Sequence, residues 1–546
     1  GPDGNIVISK LGKDAIYTQK VNNRISTVSF TLPEVKAGCV IEYKYVNILE
    51  SFTRLDDWYF QDDIPTRYSL YKVEIPQYFN FTKMVLAYQK VEQKSEASQD
   101  RIYTSDGVLK YNTVIATYSM ENIPALKNEP FMSSAKDYQQ RVQFQLSQID
   151  YGNGNIVDYR TTWPKLAKEL LEDEDFGVQL RKNIPRTKDL DLKLAGVEDS
   201  YTKMCIIHNY VRANMTWNGS QNIFTNDGVK SAWDKKNGTN AEINMILINL
   251  LRDANVPVQA MLVSTRDHGA TNPIYPFLEQ FNGVLAYVKI NGKTYVLNAA
   301  DKYNPVKLIP YNVLNTDGYV LDNDGGRWIS LENKDHRWKN LVIISAQIDA
   351  EGIMKGEATI SSYDYSRNPR TKHFIEENKS FGDYFTADDV AMKVDEIKVT
   401  NVEADSMPLE QNVKFSSKLN SSGDYRYFNL NLFSGLDKNQ FIADSRVTDI
   451  DFGYNQAYAI YGSIFLPPGY QVDDIPKNIS MIMPDTSVVL RRVMQIDDDV
   501  LNFRITIDFS KPYYTAQEYP FFKEFNKQLY VKLNEQIVIK KKTGTP

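Results

Sequence analysis

The chain has 546 residues, 42% hydrophobic and 24% charged, so it can bury several ordinary cores and is neither disordered nor fibrous. At roughly 150 residues per domain, that length predicts three to four domains. Lys and Arg number 63 against 69 Asp and Glu, a net charge of −6, and with no basic stripe no nucleic-acid partner is expected.

Cys39 and Cys205 are the two cysteines, too few for a disulfide scaffold and silent on compartment. No run of about 18 apolar residues occurs, so no transmembrane segment is predicted. Gly1-Pro2 reads as the remnant of tag cleavage, so the lack of a leader before it decides nothing.

Up to about residue 150 the pattern alternates as strands do. Val40 to Val46 sets Ile41, Tyr43 and Tyr45 on one face, and Tyr71 to Ile75 repeats this before stopping at Pro76. Gln89 to Asp106 is polar and reads as a long hairpin loop. An antiparallel sandwich is predicted for residues 1–155.

Helical spacing begins at 161, with Thr162 as cap, Pro164 in the first turn, and Leu166, Leu170 and Leu171 following. Asp199 to Asn214 is a second helix with Met204, Ile207 and Val211 on one stripe, and Thr239 to Asp253 a third. Strands are predicted at Val258–Thr265, Gly283–Ile290 and Thr294–Leu297, the last two joined by Asn291-Gly292. Residues 156–335 therefore form an α+β core.

From 336 to 546 strands return: Leu341–Ile348, Gly356–Tyr363, Tyr425–Phe433, Tyr458–Phe465, Val488–Ile496 and Leu501–Ile507. A turn is placed at Asp497-Asp498-Asp499 and a short helix at Ala516–Phe525. This region reads as a second sandwich, and no internal repeat is evident.

The three blocks in this order resemble a three-part transglutaminase-like family of Gram-negative bacteria, with β-rich domains before and after a papain/transglutaminase-like core. Pro33 to Tyr43 is similar to the family's signature strand. Asp57-Trp58-Tyr59-Phe60-Gln61, Ile64-Pro65 and Val73-Glu74-Ile75-Pro76 are similar to the segments after it. Leu466-Pro467-Pro468-Gly469-Tyr470 and Glu518-Tyr519-Pro520-Phe521-Phe522 are similar to the terminal module.

Active members of that superfamily use a thiolate at a helix N-terminus, an imidazole that shuttles the proton, and a group that orients the imidazole. The helix end lowers the thiol pKa. In the matching frame, Gly238-Thr239-Asn240-Ala241-Glu242, Asn240 stands where the cysteine would be. Gly283 follows Phe281-Asn282 in place of the histidine, and Asn298 stands in Tyr295-Val296-Leu297-Asn298 for the aspartate. An amide is not nucleophilic at neutral pH, and glycine cannot move a proton. The resemblance thus implies a degenerate triad.

Other residues offer weaker chemistry. Cys205 and His208 lie at i and i+3 on one helix, but the apolar neighbours of Cys205 favour packing. Thr239 beside His268 would need a strong adjacent base, and a solvated loop histidine is the simpler reading. Asp322-Asn323-Asp324-Gly325-Gly326 lacks the later ligands of a calcium loop and reads as a glycine-rich turn. The histidines at 208, 268, 336 and 373 have no ligand spacing, so neither a metal nor a cofactor is expected. Trp217 and Trp233 flank the loop into the cleft; they, with Thr239, Glu242 and His268, could line a binding surface, although tryptophan is usually core.

The expectation is a non-catalytic binding or scaffolding protein for peptide, protein or glycan in the cell envelope. The competing expectation is an active cysteine-type peptidase or amide transferase using other residues. The resemblance also implies a removed signal peptide and a periplasmic or outer-membrane-associated location. Oligomeric state is left open.

Overall fold

The computed structural model describes residues 8–20, 26–48, 55–104, 107–152, 154–159, 161–377, 383–386 and 391–542. The chain divides into two compact units, Gly1–Leu55 and Asp56–Pro546. Gly1-Pro2 and Asp106 lie outside the described residues.

In the first unit Ile16–Lys20 and Ser26–Phe30 pair as an antiparallel hairpin, with Ile16 opposite Phe30 and Lys20 opposite Ser26. The strand expected at Val40–Val46 is not formed. That segment joins no ladder, and Val40 is 94% exposed. Alternation supplies a face, but a strand also needs a partner for its backbone groups. Cys39 is exposed here, its Sγ turned back on the Lys36 carbonyl at 2.8 Å.

The second unit opens with two small sheets. Thr66–Pro76, Gly107–Ile123 and Glu92–Thr104 form one, with the Gly107 strand in the middle. Pro76 ends an edge strand, where its missing N–H costs nothing. Trp58–Tyr59, Arg141–Asp150, Phe79–Leu86 and the short Ile156–Asp158, which also pairs with Arg141–Asp150, form the other. Rings join the two: Phe144 lies 6.1 Å from Tyr71 and 5.9 Å from Tyr118. The loop expected over Gln89–Asp106 is corrected to a strand, Glu92–Thr104, along the edge of its sheet. On an edge, polarity marks solvent exposure rather than irregular backbone.

The α+β part follows its sequence closely. Helix Trp163–Glu172 starts at Thr162, whose side chain accepts from Lys165 N, and Asp199 caps Ser200–Asn214 in the same way. Helix Asn240–Asp253 is buried along nearly its whole length, against a five-stranded antiparallel sheet. The strand order is Lys293–Leu297, Gly283–Ile290, Val258–Val263, Asp317–Val320, Arg327–Ser330. Asn291 and Gly292 both take positive φ, 50° and 80°, as a two-residue hairpin turn requires. The last two strands of that sheet were not foreseen. The Asp322–Gly326 turn joins them, with Gly325 and Gly326 at φ 124° and 136°.

The C-terminal region holds an eight-stranded sheet and a four-stranded one, sharing a large apolar cluster with helix Tyr519–Leu533. The eight-stranded sheet is not wholly antiparallel, which corrects the sequence reading. Trp338–Ile348 runs parallel to Gln456–Phe465, with Trp338 opposite Gln456. Parallel neighbours need a long crossover, and about a hundred intervening residues provide it. Tyr425 begins a strand that ends at Phe428, short of the expected Phe433, and the late helix runs to Leu533 rather than Phe525. Asp498 and Asp499 make the tight turn between Val488–Asp497 and Val500–Phe509, with Asp498 at φ 53°.

Candidate functional site

The sequence places Gly238 and Thr239 just before the buried helix, and the structure shows why the helix starts there. Thr239 Oγ1 accepts from Glu242 N at 3.2 Å, and Glu242 Oε2 accepts from Thr239 N at 2.8 Å. This reciprocal cap satisfies two of the free donors at the helix end. Glu242 Oε1 also takes Asn226 N and Asp227 N, each at 2.9 Å, tying the preceding loop to the helix start.

Asn240, the first helical residue, is buried. Its N–H donates to Ser220 O at 3.1 Å, its Oδ1 accepts from Val284 N at 3.3 Å, and its Nδ2 lies 3.4 Å from Asn298 Oδ1. Gly283 opens the facing strand, and a Cβ placed on it would lie 3.2 Å from Asn240 Oδ1 and 3.3 Å from Val263 Cγ2. Asn298 follows directly after the Lys293–Leu297 strand, which pairs with the Gly283 strand. Asn240, Gly283 and Asn298 are therefore brought together. A side chain at position 283 would thus press on the Asn240 amide and Val263.

One partner was missed in the sequence. Asn244 Nδ2 donates to Asn298 Oδ1 at 3.0 Å, and Asn244 Oδ1 accepts from Ala299 N at 2.8 Å. Its spacing of four from Asn240 puts both on one helix face, a signal that was legible. Three buried amides thus bind one another and the adjacent backbone, and nothing in the corner is charged.

The other candidates separate. Trp217 is 41% exposed, with its indole N–H on Ser220 O at 2.9 Å, so it stands on the loop that crosses the helix start. Trp233 does not line a cleft: it is buried in the core, donates to Pro185 O at 3.2 Å, and has Lys236 Nζ 3.4 Å from its ring centre. Thr239 and Glu242 are also buried, and their polar atoms are committed to the cap. The burial of Trp233 agrees with the core packing usual for tryptophan.

His268 is half-buried, its Nδ1 3.0 Å from Ser264 Oγ, and burial chiefly, then the charge of Lys136, lowers its pKa. Its loop is anchored at Asn282, which accepts from Thr265 N at 2.9 Å and donates to Thr265 Oγ1 at 2.7 Å. The Thr239 hydroxyl accepts from Glu242 N, whereas His268 turns to Ser264.

Cys205 is partly buried, and burial raises its thiol pKa. His208 is fully buried, with its pKa lowered to about 4 by burial first and Arg212 second. Among the described residues no group of three or more His, Cys, Asp or Glu gathers to hold a metal, and no helix is long and apolar enough to cross a membrane.

Comparison with known proteins adds the fold. The family model for DUF3858, a domain of unknown function with a solved structure, matches residues 424–539, the stretch that holds Leu466–Tyr470 and Glu518–Phe522. No curated protein matches the chain. A crystal structure of a putative protease from Parabacteroides distasonis is similar over 99% of this chain and 87% of that one, with TM-score 0.56 and 13% identity. That likeness concerns architecture. A putative cysteine protease from Cytophaga hutchinsonii covers 50% of this chain and 83% of its own, with 11% identity and TM-score 0.18, too low to carry an argument. The chain is a multidomain α+β protein with a protease-like relative in fold.

Proposed function

We propose that the chain is a non-catalytic, transglutaminase-like protein that acts as a binding or scaffolding module outside the cytoplasm. In this reading, two β-sandwiches flank a core whose triad has been replaced. The observation that supports it is the amide corner. At the helix start, where such an enzyme needs a thiolate, Asn240 holds Val284 N and Asn298, and Gly283 offers no base. Neutral amides there neither attack a carbonyl nor accept a proton at neutral pH.

The Cys205 thiol fits poorly with catalysis. A reactive cysteine has a lowered pKa, whereas burial raises that of Cys205. The test is incubation with glutamine acyl-donor peptides, casein and small amides, with and without iodoacetamide. No thiol-dependent turnover is expected. Turnover abolished by alkylation would overturn the reading and point to Cys205 or Cys39. Fractionation of the native host should place the protein in the periplasm or on the outer membrane; recovery in the cytosol contradicts the location. Pull-down from the envelope would identify the protein, peptide or glycan bound.

A further inference from the structure

A cavity of about 300 Å³ lies in the second unit, between the segment around Phe131, the loop at 435–441 and the helix Tyr519–Leu533. That volume is at the small end for ligand sites, enough for one ring. Its walls are aromatic. Phe131 stacks on Phe441 with centroids 5.7 Å apart and leans on Phe452 at 4.7 Å. Phe131 is 38% exposed and sits at φ 59°, a conformation that costs a bulky residue energy. Its carbonyl accepts from Asp451 N at 2.8 Å, which helps hold it there.

The polar atoms in this cavity point to a ligand. Gln456 and Asn526 line it, and both are more than nine-tenths buried. Gln456 Oε1 accepts from Tyr458 O–H at 2.8 Å, and Asn526 Nδ2 donates to Phe522 O at 2.9 Å. Gln456 Nε2 and Asn526 Oδ1 have no hydrogen-bond partner among the described residues, nor has the Tyr530 hydroxyl. Burial foremost, then the Asp437 charge, keeps that hydroxyl protonated, with its pKa raised to about 12. None of these three atoms is sealed off, so a free donor, a free acceptor and a free hydroxyl open onto the cavity among the rings and keep bonding capacity for a ligand.

We infer that this cavity binds a single neutral sugar ring. A hydroxyl both donates and accepts, so neighbouring sugar hydroxyls can satisfy Gln456 Nε2, Asn526 Oδ1 and Tyr530 together. The apolar face of the ring lies on the aromatic wall. At the exposed lip Asp437 and Lys438 present both signs of charge, which favours a neutral ligand over an ion. The site is independent of the amide corner, so its failure would leave the reading of that corner intact.

The full chain is titrated with glucose, galactose, mannose, N-acetylglucosamine, maltose and cellobiose, with saturation-transfer NMR and calorimetry as readouts. At least one sugar should bind saturably. Tyr530→Phe, which removes only a hydroxyl without a partner, should weaken that binding about three- to tenfold without lowering Tm. Asn526→Leu should weaken it further. No saturable binding across the six sugars overturns the proposal. So does equal binding by both variants, or saturable binding of phenylalanine or tyrosine in place of every sugar.

Discussion

Two buried polar clusters in the second unit are built on opposite principles. The corner around Asn240 uses neutral amides alone. The seam at Asp451 uses charge: Arg266 Nη1 lies 3.2 Å from Asp451 Oδ1, and both side chains are 9% exposed. The same carboxylate oxygen accepts from Asn315 Nδ2 at 2.7 Å and Gly453 N at 2.9 Å. Nearby, Glu129 accepts from Thr448 N at 2.8 Å and faces Arg446 at 3.7 Å. The seam joins segments far apart in sequence, whereas the corner joins one helix to its own sheet. Charge costs more to bury than a neutral amide does, and it holds its partner more strongly.

The largest effect should come from breaking the seam. Asp451→Ala leaves Arg266 buried and unpaired, a loss of about 3–5 kcal/mol in urea unfolding. The double variant Arg266→Met/Asp451→Leu should recover much of it, because two apolar groups replace two charges. A single-variant loss under about 1 kcal/mol would mean that the seam is not what holds these segments.

The next effect is set by pH, and it comes from His208, whose ring lies against the Asn298 main chain beside the corner. Its folded pKa, about 4, is below the unfolded value near 6.5. As pH falls from 6.5 the unfolded chain takes up a proton that the folded chain refuses until about 4. Stability is therefore full above 6.5 and declines toward 4, by about 3 kcal/mol. In His208→Leu that part of the slope should vanish. An unchanged slope would show that His208 is not buried neutral.

What the sequence told, and what it withheld, can be traced to particular residues. The cap at Thr162, the helix starts at Asp199 and Thr239, the Asn291-Gly292 turn and the Gly283 strand were legible because each rests on local chemistry. The meeting of Asn240, Gly283 and Asn298 was legible only through the resemblance, since no local rule brings residues 58 apart into contact. Val40–Val46 and Glu92–Thr104 were misread in opposite directions. Pairing decides both, and periodicity cannot see it: Glu92–Thr104 pairs with the next strand, Gly107–Ile123, whereas Val40–Val46 joins no ladder. The parallel pairing of Trp338–Ile348 was hidden for the same reason. Trp233 is buried, as tryptophan usually is, but nothing local in the sequence separates a buried indole from one that lines a groove.

The smallest effect sharpens the comparison inside the corner itself. Asn244 makes the two short bonds, to Ala299 N at 2.8 Å and Asn298 Oδ1 at 3.0 Å. Asn240 makes the two long side-chain ones, 3.3 Å to Val284 N and 3.4 Å to Asn298 Oδ1. Asn244→Ala strands the buried Ala299 N–H and should cost about 2 kcal/mol. Asn240→Ala gives up bonds near the geometric limit, and its loss should stay under about 1 kcal/mol. Asn298 Oδ1 keeps Ala300 N at 3.1 Å in either variant, so neither change empties the corner. That ordering follows if Asn244 supports the fold while Asn240 merely fills the place a nucleophile would occupy. Should Asn240→Ala prove the costlier variant in parallel urea titrations, Asn240 is a structural keystone, and its place at the helix start no longer speaks for a replaced nucleophile.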